Sequence, residues 1–95
     1  MPLDGRTYLD VEPAEVLAML RRAKEIIREH GWCQGTNRDL EGRYCIYAAM
    51  REAGGWRNWG NLGLPWPAQW QDEPGRTVEE VYAWLDEQIA LREAA

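Results

Sequence analysis

Between Pro13 and Gly31 the apolar residues Val16, Leu17, Leu20, Ala23, Ile26 and Ile27 recur at three- and four-residue spacing, and no other feature of the chain limits its fold as much. That spacing draws one apolar stripe along a helix, whereas a strand would send alternate residues to opposite faces. Asp10 and Glu12 precede Pro13, which suits a first helical turn because the N–H it lacks would have no partner there. Glu15 follows where the helix dipole favours an acid, and Gly31 after His30 is a stop signal. The pattern predicts a helix over about 13–30. A helix apolar on one stripe must bury it against another element, so the rest of the chain has to supply partners.

Two further segments qualify. Residues from about 41 to 53 follow Asp39, a candidate cap, and end at Gly54-Gly55; Tyr44, Cys45, Ala48 and Ala49 would form the buried stripe. Thr77 with Glu80 three residues on is a capping box, and Val78, Val81, Tyr82, Leu85 and Ile89 give one apolar face over about 77–92. Between these segments Gly31–Asp39 is too rich in Gly, Asn and Asp to continue a helix. Gly54–Gly75 holds five Gly, three Pro and four Trp without periodicity. The expected architecture is all-α: a compact three-helix domain, one domain over residues 1–95, with a long Trp/Gly/Pro-rich loop between the second and third helices.

Charge and hydropathy exclude some partners. The formal net charge of −5 repels the phosphate backbone that supplies most nucleic-acid affinity. Arg38, Arg43, Arg51 and Arg57 do gather around the second helix, but the five acids from Glu79 to Glu93 face only Arg92, which argues against a DNA-reading helix. No run is apolar and long enough to cross a membrane, and Met1–Gly5 has neither a basic start nor an apolar core of a leader. The expectation is a cytoplasmic protein with no nucleic-acid or membrane partner, a monomer or homodimer. Only Lys24 among eleven basic residues is lysine, and Phe and Ser are absent, a bias of GC-rich genomes.

The candidate chemistry is sparse. His30, Cys33 and Cys45 offer imidazole and thiolate ligands suited to zinc, although His-x2-Cys-x11-Cys lacks the paired knuckles of a strong metal motif. The same cysteines also fit as buried thiols or as a disulfide. Asp39 with Glu41 and Asp72 with Glu73 read as caps and turns rather than catalytic carboxylates. No catalytic set emerges and no cofactor is called for.

The tryptophans are harder to place. Trp32 and Trp84 lie beside helical patterns and read as core, whereas Trp56, Trp59, Trp66 and Trp70 fall in one loop. Trp and Arg dominate binding hot spots, so Trp56, Arg57, Trp59 and Trp66 are the candidate binding residues. The alternative is that these indoles pack inward and supply bulk to a core rich in alanine.

Gly31-Trp32-Cys33-Gln34-Gly35, then Gly42-Arg43-Tyr44-Cys45, and later Trp70-Gln71-Asp72-Glu73-Pro74-Gly75-Arg76-Thr77 form a recognisable series. Across roughly Val16 to Ile89 the chain resembles a family of small actinobacterial and actinophage proteins. Its members have a GWxQG loop, a GRxC helix and a W-N-D-x-P-G-R-T turn. Gln71 stands here where that pattern has Asn, which speaks against a short side chain capping the turn. The family carries no assigned activity, so the resemblance implies a fold and a source but no catalytic residues. Read as one packed unit, Gly35 and Gly42 allow tight loops, Trp32 and Trp70 cover the helix junction, and Arg43 pairs with Asp72 across it; Gln34, Cys45 and Arg76 complete the motif set. The functional expectation is a non-enzymatic, phage-encoded protein that docks on a host or partner protein. The alternative is a small-ligand or metal site at His30, Cys33 and Cys45.

Overall fold

Helix α1 spans Pro13–His30, the stretch its apolar period predicts. It ends where the Gly31 N–H closes a last bond to Ile27 O at 2.7 Å and Gly31 turns to φ +92°. In the computed structural model the described residues are 13–54 and 68–94. Three more helices follow α1: α2 over Ile46–Gly54, the four-residue α3 over Ala68–Gln71, and α4 over Val78–Glu93. Among the described residues there is no strand, only two isolated bridges.

Helix α1 is the centre of the arrangement, packing against both α2 and α4. Val16, Met19, Leu20, Ala23, Ile26 and Ile27 form its buried stripe and meet Ile46, Ala49 and Met50 of α2 and Val81 and Leu85 of α4. Met19 takes the buried place expected of Leu17, which is only half-buried. Val78, Tyr82, Trp84 and Ile89 pack at the margin of this core with Trp32 and Trp70. Two ion pairs cross the solvent side of the α1–α4 contact, Lys24 with Asp86 at 2.6 Å and Arg21 with Glu93. The capping box of α4 forms as expected: Thr77 Oγ1 accepts from the Glu80 N–H at 3.2 Å, and the Glu80 carboxylate accepts from the Thr77 N–H at 2.9 Å.

Two expectations need correction. The second helix starts at Ile46 instead of near residue 41. Asp39 does not cap it; its carboxylate accepts from the N–H groups of Glu41 at 3.1 Å and Arg43 at 2.9 Å, folding residues 39–43 into a turn. Gly42 at φ +82° cannot lie in a helix, so the chain turns there, Arg43 to Cys45 lie outside α2, and Tyr44 leaves the helical stripe to pair with Trp32 and Arg38. Ile46, fully buried, takes its place as the first core residue of α2. Secondly, the stretch expected to be irregular from Gly54 to Gly75 carries α3 within it.

Candidate functional site

The motif residues are brought together at the junction of α1, α2 and α3, with Tyr44 at its centre. The Tyr44 N–H donates to Gly31 O at 2.9 Å, and Tyr44 O accepts from the Cys33 N–H at 3.0 Å, a parallel bridge between Trp32 and Tyr44. On the other side Arg38 pairs antiparallel with Tyr44, and the Cys45 N–H donates to Asn37 O at 3.0 Å. Residues 31–45 therefore fold back twice on the segment that leads into α2. The Tyr44 ring is buried, with the Arg38 guanidinium 4.3 Å from its centroid and the His30 ring centroid at 5.2 Å. Its hydroxyl donates to Glu52 of α2 at 2.6 Å, which raises the phenol above its ordinary range, with burial adding to the effect.

Gln71, the departure from the family pattern, is the hub. Its side chain is 3% exposed, and Oε1 accepts from Trp32 Nε1 at 2.9 Å and from the Ile46 N–H at 3.1 Å. Nε2 donates to Asp72 Oδ1 at 2.6 Å. One amide thus caps the first turn of α2, holds the Trp32 indole and orients Asp72, whose carboxylate in turn accepts from the Gly35 N–H at 3.0 Å. Gln34 answers from the other side, its Nε2 donating to Gln71 O at 2.7 Å and Glu73 O at 2.9 Å at the end of α3. The longer arm of glutamine is what makes the double reach possible. A residue counted as a departure from a pattern is the one that joins its parts, and no periodic signal in Trp70-Gln71-Asp72 would have revealed it.

The expected ion pair between Arg43 and Asp72 does not form. Arg43 Nε instead donates to Asp39 at 2.6 Å and Nη2 to Glu41 at 3.2 Å, because the turn brings both acids to its own side. The N–H groups of Arg43 and Glu41, with the guanidinium, hold Asp39 below the usual carboxylate range against the opposing effect of desolvation. Arg76 is the arginine that ties the turn after α3 together. Its guanidinium lies 4.2 Å from the Trp70 ring centroid, donates to Trp70 O at 2.9 Å, and reaches Glu73 at 2.9 Å and Glu80 at 3.1 Å. Trp70 in turn stacks obliquely on Trp84, with ring centroids 6.2 Å apart.

Both cysteines are free and buried. Cys45 stands just before α2 and its sulfur accepts from the Ala48 N–H at 3.3 Å, a sulfur in the place of a capping oxygen. The Cys33 thiol donates toward Arg43 O at 3.3 Å and Thr36 O at 3.5 Å. Burial pushes both thiols up, in Cys33 with help from Asp39 and in Cys45 against the N–H groups of Ala48 and Tyr47. Each lines an open cleft. One of about 540 Å³ lies between Trp32, Cys33, Gln34 and the Asp39–Arg43 turn, and one of about 250 Å³ between Asn37, Cys45, Tyr47 and Asp72. His30 is exposed and engaged with Tyr44, so the proposed triad of metal ligands is not assembled; among the described residues no three His, Cys, Asp or Glu side chains converge as a metal site.

Trp56, Arg57, Trp59 and Trp66 lie outside the described residues. The ends of the connection that carries them are held by the contacts above, α2 by the core and α3 by Gln34. Among the described residues no helix is long and apolar enough to cross a membrane. The chain is matched over residues 11–64, more than half its length, by the model of a family described as "Family of unknown function (DUF6197)". The match takes in the first two motif stretches, while Trp70 to Thr77 lie beyond it. No curated protein and no solved structure matches the chain.

Proposed function

The chain belongs to this family of unknown function, and we propose that it acts as a small non-enzymatic docking protein whose partner is another protein. The observation that carries the reading is the placement of Trp56, Arg57, Trp59 and Trp66 in a single connection between two anchored helix ends. Such residues dominate interface energetics, and a rigid scaffold presenting a loop is the usual way binding residues are displayed. Three other indoles, Trp32, Trp70 and Trp84, pack against the core. The net charge of −5 favours a protein surface over nucleic acid. The arginine-rich, lysine-poor composition supports an actinobacterial or actinophage source, and with it a cytoplasmic host protein as the target.

The test is a pull-down from actinobacterial lysate followed by titration against the recovered partner as a purified protein. The expected result is a defined complex that a Trp56→Ala/Trp59→Ala variant with unchanged circular dichroism weakens by about 30-fold or more, one hot-spot residue being worth about 2 kcal/mol. Equal affinity of the two forms overturns the reading. A second reading, a small ligand in the cleft beside Cys45 and Asp72, rests on the opening of that cleft between Asn37, Cys45, Tyr47 and Asp72. It predicts ligand-dependent shifts of the Tyr47 and Asn37 amide resonances in a metabolite screen, and their absence removes it.

A further inference from the structure

We propose that Cys33 and Cys45 are a redox-convertible pair, closed into an intramolecular disulfide by small-molecule disulfides and reopened by thiols. The placement is a consequence of register. In the parallel bridge the N–H of Tyr44 meets Gly31 O and the N–H of Cys33 meets Tyr44 O, which makes Trp32 and Tyr44 opposite residues and Cys33 and Cys45 the next pair along. Side chains alternate along extended chain, so the two thiols share the face opposite to Trp32 and Tyr44. Neighbouring extended segments lie about 4.8 Å apart, inside the roughly 4.4–6.8 Å between Cα atoms that a disulfide spans. Both thiols are free, and neither has an acidic or basic side chain as a hydrogen-bond partner: the sulfurs meet Arg43 O, Thr36 O, Asn37 Oδ1 and the Ala48 N–H. Each lines an open cleft, which gives a small reagent a route to it.

The exchange balances without any further reactant. One cysteine thiolate attacks a sulfur of the small disulfide, forming a mixed disulfide and releasing one thiolate; the second cysteine thiolate attacks the protein sulfur and releases the other. The two protons lost by the cysteines end on the two released thiols. Burial keeps both cysteines protonated at neutral pH, so the first attack is slow there and quickens as the pH rises. Closing the bond locks residues 34–44 onto the start of α2. That segment carries Gln34, the clamp on α3, so the oxidised form stiffens the anchor of the Trp-bearing connection.

The experiment treats the native protein with hydroxyethyl disulfide at pH 8.5 and reads intact mass and thiol content after denaturation. The expected product is a monomer lighter by two hydrogens, with no titratable thiol, restored by dithiothreitol. Its melting temperature should rise by roughly 10 °C, since the cross-link constrains the unfolded chain. Cys33→Ser and Cys45→Ser variants should each stop at the mixed disulfide, with the reagent's thiol still attached. A native chain that also stops at the mixed disulfide, forms a linked dimer, or keeps both thiols overturns the pairing, and that outcome leaves the docking proposal untouched.

Discussion

Gln71 shows how much one buried amide can determine. Its Oε1 is the acceptor for both the Trp32 indole N–H and the first amide of α2, and no buried side-chain nitrogen or oxygen among the described residues lacks a partner. Removing the acceptor leaves two donors stranded, at about 1–3 kcal/mol for each that water does not reach. Gln71→Ala should therefore lower the unfolding free energy by about 2–4 kcal/mol, measured by urea denaturation, and Gln71→Asn should fall in the same direction because the shorter arm cannot hold both donors. A loss below about 1 kcal/mol for Gln71→Ala would show that the junction does not depend on this side chain. Gln71→Glu tests the donor side. It sets a second carboxylate beside Asp72, which raises the new acid's pKa in the folded state; such a group favours folding only when protonated. The deficit of this variant should shrink as the pH falls toward 5.

Elements differ in how far their ends are written locally. Helix α4 begins at a capping box made from Thr77 and Glu80, residues three apart in the chain, and its first turn was legible for that reason. Thr77→Ala should cost about 1 kcal/mol in thermal or chemical unfolding. Helix α1 was legible from its period and its terminal glycine. The start of α2 was not, because its first amide is capped by Gln71, which is 25 residues away, and the nearby candidate Asp39 folds its own turn instead. The site divides the same way: the motif glycines and Trp32 were visible as motif, whereas the partners of Arg43, Asp72 and Gln34 depend on how residues 31–45 fold back. The Asp39 turn has a pH signature. Its carboxyl is held below the ordinary range in the folded state, so its contribution to stability is fully present above the unfolded pKa and disappears as the pH falls through the lower, folded value. Asp39→Asn should flatten the acid limb of the stability curve below about pH 4; an unchanged limb would mean that the turn is not what titrates.

At the scale of the molecule, helix α4 is held on α1 by two kinds of contact, and their magnitudes decide which one matters. On the solvent side, Lys24 pairs with Asp86 and Arg21 with Glu93, with about half of each carboxylate and arginine side chain still exposed. Exposed pairs of this kind are worth about 0–1 kcal/mol each, and salt screens them. On the inner side Val81 and Leu85 are fully buried against the α1 stripe. Truncating such a leucine removes its transfer free energy and leaves a cavity, at about 2–5 kcal/mol. Leu85→Ala should then cost several times as much stability as the Lys24→Ala/Asp86→Ala double variant, and raising sodium chloride to about 1 M should change the native unfolding free energy by less than about 1 kcal/mol. A double variant that unfolds the chain as readily as Leu85→Ala, or a large loss in salt, would mean that charge rather than apolar burial docks α4. The bundle would then be an electrostatic assembly whose net charge of −5 works against its own compactness.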